Sequence, residues 1–145
     1  MSETRVALVT GSATGVGRAC AVRFATQGFD VVVNYPGTDR EEAEETVLLV
    51  KEQGSEALLV KCDVSSDNEV VAMISHVEQA FGWLDVVINA AGYTNFVAHA
   101  DLNAMTDEKW DTILAVNTKG PFFVFRAAAK LLQRHSTSAV VNVSS

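Results

Sequence analysis

Short apolar runs alternate with amphipathic stretches from one end of this chain to the other, and that rhythm leaves few folds open. The runs at 5–10 (RVALVT), 29–35 (FDVVVNY), 56–62 (EALLVKC), 83–90 (WLDVVINA) and 138–145 (SAVVNVSS) read as strands. Between the first two, residues 17–28 have helical spacing and close on Gly28 as a C-terminal cap. Thr38 with Glu41, and Ser66 with Glu69, form capping boxes that open the next two helices. The first of these ends near Gly54 and the second at Phe81-Gly82. Thr106 caps a long helix that carries Asp107 and Glu108 in its first turn, where the helix dipole favours anions. Strands separated by helices require βαβ crossovers, hence a parallel sheet covered on both faces. The strands are accordingly near-continuous Val/Ile/Leu runs. The expected fold is α/β, a doubly wound parallel sheet in the order 3-2-1-4-5, with no internal repeat or linker.

The residues placed for chemistry begin just after the first strand. In VTGSATGVGRA (9–19), Gly11, Gly15 and Gly17 let the backbone turn sharply, approach a ligand and pack helix on strand. The free N–H groups at the helix start suit a pyrophosphate, and Ser12 and Thr14 offer hydroxyl donors beside it. A glycine trio alone is weak evidence; its position between strand one and helix one is what gives it weight.

The spacing Gly-x-x-x-Gly-x-Gly resembles that of the short-chain dehydrogenase/reductase family, and further segments agree in order. CDV (62–64) ends strand three, NAAG (89–92) ends strand four, AVNTKGPFF (115–123) follows, and VNVSS (141–145) ends strand five. The resemblance covers the whole chain and leans toward 3-oxoacyl-thioester reductases. It implies a Rossmann-type dinucleotide-binding domain over 1–145 and an NAD(P)-dependent oxidoreductase acting on a carbonyl or alcohol. By the same resemblance Gly11, Ser12, Thr14, Gly15, Val16 and Gly17 hold pyrophosphate, and Asp63 with Val64 holds adenine. Asn89, Ala90, Ala91 and Gly92 flank the ribose and strand four, while Asn117 and Ser145 are catalytic.

Each of these residues also has a local reading. Asp63 could merely cap a turn, and Asn89 could satisfy backbone between strands four and five. Pro121 cannot donate the helical hydrogen bond that the Asn117 carbonyl would accept, so a kink and a free acceptor are expected there. Ser144 and Ser145 point to opposite sheet faces, so only one addresses a site. The resemblance favours Ser145, as a donor to a substrate oxygen on which negative charge develops. The family's Tyr, with Lys four residues later, has no counterpart: Tyr35 is followed at that spacing by Asp39 and Tyr93 by Val97. The catalytic acid and the last strands are therefore expected beyond residue 145, and this chain alone is expected to be inactive.

At the end of strand two stand Asn34 and Tyr35, where a carboxylate would repel a 2′-phosphate, so NADP is the expected cofactor with NAD possible. The same pair argues against a methyltransferase, which places an acidic residue there. A non-catalytic dinucleotide sensor is the alternative; it would keep the glycine loop and lose the Tyr–Lys pair. The net charge of −7 argues against nucleic acid or an anionic membrane as partner. No stretch reaches the ~18 apolar residues of a membrane span, so a cytoplasmic location is expected. Cys20 and Cys62 are expected to be reduced, and His76, His99 and His135 show no metal-ligand spacing. The helix from Thr106 carries apolar residues on too many sides for one buried stripe, and the resemblance implies a homodimer or homotetramer.

Overall fold

A computed structural model describes residues 4–144. The elements run β1 (Arg5–Thr10), α1 (Gly15–Ala25), β2 (Phe29–Tyr35), α2 (Arg40–Glu52), β3 (Ala57–Lys61), α3 (Asp67–Ala80) and β4 (Val86–Asn89). A 3-10 turn (Leu102–Ala104) then leads into α4 (Asp107–Leu114), a π turn (Ala115–Lys119), α5 (Gly120–Leu132) and β5 (Ala139–Asn142). The strands form one sheet in the order β3-β2-β1-β4-β5, and every pairing is parallel. That is the expected order. The change of direction at β1 opens a crevice between β1 and β4 at their carboxyl ends, where ligands of such sheets bind.

Side-chain alternation along the strands divides the interior in two. Val6, Leu8, Val32 and Val87 meet Val70, Met73 and Val77 of α3 and Val124, Ala128 and Leu131 of α5. Val9, Val31 and Val33 meet Ala21 and Ala25 of α1 and Ala43 and Val50 of α2 on the other face. β1 and β2 are thus buried on both faces, which is why their sequences show no period of two. The outer strands β3 and β5 are less covered, and β5 leaves Val141 48% exposed. At the foot of the sheet the buried Asp85 accepts the Val6 N–H at 2.7 Å and lies 2.6 Å from His135 Nδ1. Among the described residues no helix is long and apolar enough to cross a membrane.

Three local expectations are corrected. The Thr38–Glu41 box does not form: α2 starts one residue later with Asp39 as N-cap, and the Thr38 hydroxyl donates to the Asp39 carboxylate instead. The second box is half made. Ser66 accepts the Glu69 N–H, but the Glu69 carboxylate turns to the Asp63 N–H at 2.9 Å. Finally, the long helix after Thr106 is three segments, because the missing N–H of Pro121 is accommodated by the π turn that includes Asn117.

Candidate dinucleotide site

The glycine loop folds as close backbone contact requires. Gly11 has φ +60°, and a Cβ there would lie 2.6 Å from the Ala91 Cα. A Cβ on Gly17 would lie 2.1 Å from the Gly11 carbonyl oxygen. The loop, the start of α1 and the segment after β4 therefore touch backbone to backbone. Thr14, the N-cap of α1, makes no side-chain cap, and the first turn holds no acidic residue. Its first-turn N–H groups and the positive end of the helix dipole are left for an anion.

A single hydroxyl ties this loop to the next. Thr10 Oγ1, buried at the end of β1, accepts the N–H groups of Ala90 and Ala91, each at 3.1 Å. Two residues on, Asn117 clasps the backbone of Tyr93: its Oδ1 accepts the Tyr93 N–H and its Nδ2 donates to the Tyr93 carbonyl, both at 2.8 Å. The π turn thereby fixes the far wall of the site, and Gly120, whose Cβ would lie 2.8 Å from Val64 Cγ2, lets α5 start hard against it.

These walls enclose a cavity of about 600 Å³ lined by Gly11, Thr14, Gly15, Val16 and Gly17 on one side. Ala90, Ala91 and Gly92 line the second side, and Asn34, Cys62, Asp63 and Val64 the third. An adjoining cavity of about 540 Å³ is lined by Asn89, Asn117, Pro121, Asn142 and Ser144. Its Asn89 donates to Asn142 Oδ1 at 2.8 Å while its own Oδ1 is buried with no hydrogen-bond partner among the described residues. Ser145 lies outside the described residues.

Three sequence candidates do not present polar groups to the cavity. Ser12 is fully buried; its hydroxyl donates to the Val9 carbonyl at 2.8 Å and accepts the Asn34 N–H at 3.0 Å. Tyr35 packs its ring in the core beneath α1 and α2. Asn34 is among the cavity-lining residues, but its amide is bonded to three backbone groups. For Asn34 and Tyr35 the cause is shared: both faces of β2 are covered, so neither parity of the strand reaches solvent.

At the β3 end, Asp63 Oδ1 accepts both the N–H and the hydroxyl of Ser65, at 2.9 and 2.7 Å, closing the turn into α3. Beside it, burial pushes the Cys62 thiol up to about 12, with the nearby Glu69 and Asp63 charges adding to the shift. Sequence reasoning missed Asp39, which lines the cavity, and Lys61, whose stem crosses Gly37 close enough that a Cβ there would lie 2.7 Å from Lys61 Cε. It also missed Arg18, which bonds the Ala13 carbonyl and Thr46 hydroxyl at 2.9 Å and so anchors the loop to α2. Positive φ at Gly37 and the pairing of Tyr35 with Lys61 are properties of the folded chain, with no sequence signal.

A family model described as short chain dehydrogenase matches residues 5–145. The chain belongs to that family. It is 37% identical over its whole length to the 3-oxoacyl-acyl-carrier-protein reductase FabG of Staphylococcus aureus (strain Mu50), of which it covers 57%. It is 39% identical over 89% of its length to the trihydroxynaphthalene reductase of Colletotrichum orbiculare, covering 44% of that protein. A crystal structure assigned to the short-chain dehydrogenase/reductases, from Burkholderia xenovorans, superposes with a TM-score of 0.95 at 32% identity. The match covers 100% of this chain and 61% of that one. The chain thus spans about half the length of the curated relatives it matches. These two curated relatives are named as reductases, and the sensor alternative finds no support in them.

Proposed function

We propose that the whole protein is an NADP(H)-dependent reductase that transfers hydride between the cofactor and a carbonyl or alcohol, 3-oxoacyl thioesters being one substrate class. The observation that carries this reading is the cradle at the β1–β4 crevice. There Gly11, Gly17 and Ala91 meet backbone to backbone, and the uncapped start of α1 opens into a cavity of about 600 Å³. A side chain at Gly11 or Gly17 would fill that contact, so the residues present fit a dinucleotide. When bound, the cofactor supplies hydride from its nicotinamide ring.

The chain's own groups supply the rest. The first-turn N–H groups of α1 take the pyrophosphate, Asp63 and Val64 the adenine end, and Ala90 to Gly92 give the ribose a small-residue wall. Asn117 holds the Tyr93 backbone and, through the π turn, leaves an acceptor for a proton-carrying water. Ser145 donates to the substrate oxygen as it gains negative charge. Lys61 supports NADP(H) over NAD(H): its ammonium lies near Gly37, past the end of β2, and has no partner among the described residues, so it is free to pair with a 2′-phosphate. Trp110, Leu114, Phe122 and Phe125 are each more than two-fifths exposed along α4 and α5, which supports association with a second copy in a dimer or tetramer. A cytoplasmic location accords with this chemistry.

The test is NADPH-dependent reduction of a 3-oxoacyl thioester by the whole protein and its Ser145→Ala variant. Loss of one oxyanion donor lowers kcat about 10²–10³-fold. Unchanged turnover in the variant refutes the role of Ser145, and absence of NADPH binding refutes the reading itself.

A further inference from the structure

We propose that Asn34 is a positioning residue: its buried amide locks the glycine loop to the turn after β3 and so sets the spacing between the two ends of the cavity. This rests on the dinucleotide reading above and adds to it. Asn34 is 1% exposed. Its Oδ1 accepts the Gly11 N–H at 3.0 Å, and its Nδ2 donates to the carbonyls of Cys62 at 3.0 Å and Val60 at 3.4 Å. The partners fix which way the amide points, since an N–H needs an acceptor and a carbonyl needs a donor. Its backbone completes the junction, with the Asn34 carbonyl accepting the Ser12 N–H at 2.9 Å.

Sheet pairing does only part of this work: the Cys62 N–H bonds the Tyr35 carbonyl at 2.9 Å, but the β1–β2 ladder does not reach Gly11. The β1–β2 register stops at Val9–Val33, so Gly11, at φ +60°, lies beyond the ladder. The amide of Asn34 takes its N–H instead. At the other end it grips Cys62, the residue before Asp63, where β3 has also finished. One side chain thereby spans three strands and joins the loop proposed for pyrophosphate to the turn proposed for adenine. Few groups can replace it. A carboxylate in its place would keep the Gly11 bond but aim an anion at two carbonyls, and an apolar side chain of similar shape would take away the bonds to the Gly11 N–H and the Cys62 carbonyl.

The test compares NADPH binding, by fluorescence titration of the whole protein, in the wild type, Asn34→Asp and Asn34→Leu. Asn34→Asp binds at least about 10-fold more weakly near pH 7.5, and recovers to within about 3-fold of wild type near pH 5.5. The recovery follows because a protonated carboxyl offers a carbonyl to Gly11 and an O–H to Cys62. The Cys62 thiol, pushed up to about 12, stays protonated throughout. Asn34→Leu is weak at both pH values. A folded Asn34→Asp protein that binds within about 2-fold of wild type at both pH values overturns the proposal. So does a loss that pH does not reverse. A wild type that binds no dinucleotide overturns the underlying reading instead. One measurement needs no variant: the wild-type Gly11 amide exchanges its hydrogen as slowly as the β1 amides, and exchange as fast as at Thr14 refutes the bond.

Discussion

Replacing Gly17 by alanine is the sharpest way to ask whether the cradle is held by backbone contact. The added methyl would sit 2.1 Å from the Gly11 oxygen, 2.8 Å from the Gly11 carbonyl carbon and 2.9 Å from the Ser12 Cα. None of those atoms can step aside by a rotamer change, so α1 must move away from the loop. Overpacking against yielding side chains costs about 1–3 kcal/mol, and rigid backbone puts this case near 3. Alanine returns about 1 kcal/mol of helix propensity, which leaves a net loss of about 2 kcal/mol. For a chain of this size that lowers Tm by about 6–8 °C. Gly15 is the control. Nothing lies within 4 Å of its Cβ position, so Gly15→Ala meets only the cost of φ +57°, about 1–2 kcal/mol. Thermal melts by circular dichroism should rank wild type, Gly15→Ala, Gly17→Ala in falling order. A Gly17→Ala protein that melts within about 2 °C of wild type, or above Gly15→Ala, refutes the argument.

Other outcomes follow from the same geometry. Gly15→Asp puts a charge at the uncapped start of α1 and abolishes NADPH binding by fluorescence titration; unchanged affinity would show that the loop is only a turn. NADPH binds more tightly than NADH, and Lys61→Glu reverses or erases that preference; a variant that keeps the wild-type ratio removes Lys61 from the 2′-phosphate site. The raised Cys62 value means that its thiolate is absent well above neutral pH and gains weight only as pH approaches 12, so iodoacetamide near pH 8 leaves Cys62 unmodified in the folded protein while it alkylates the unfolded chain. Equal labelling of the two states by mass spectrometry counts against the burial that causes the shift.

The strand order and the bounds of β1 and β2 were legible because doubly buried strands announce themselves as unbroken apolar runs. The irregularity near Asn117 was legible because a proline without an N–H must be accommodated somewhere. Capping was less so. Thr38–Glu41 has the spacing of a box, but Asp39 stands between them and captures the Thr38 hydroxyl, a competition that spacing does not rank. Ser12 was a candidate by motif and Asn34 by its place at the end of strand two, and the structure turns the polar groups of both inward. Their polarity reads the same whether the partner is a ligand or the chain's own backbone, and only burial distinguishes the two.

The π turn carries a constraint on chain length. A π turn is a one-residue insertion in an otherwise regular helix, and each helical residue turns the axis by about 100°. Deleting one residue from 115–119 would remove the extra residue and drive α4 and α5 toward one continuous α-helix with Pro121 inside it. It would also swing Val124, Ala128 and Leu131 off the sheet they cover and pull Asn117 away from Tyr93. Substitution within this segment can be absorbed one contact at a time. A change in the number of residues cannot, since it shifts the phase of everything from Gly120 to Leu132 at once.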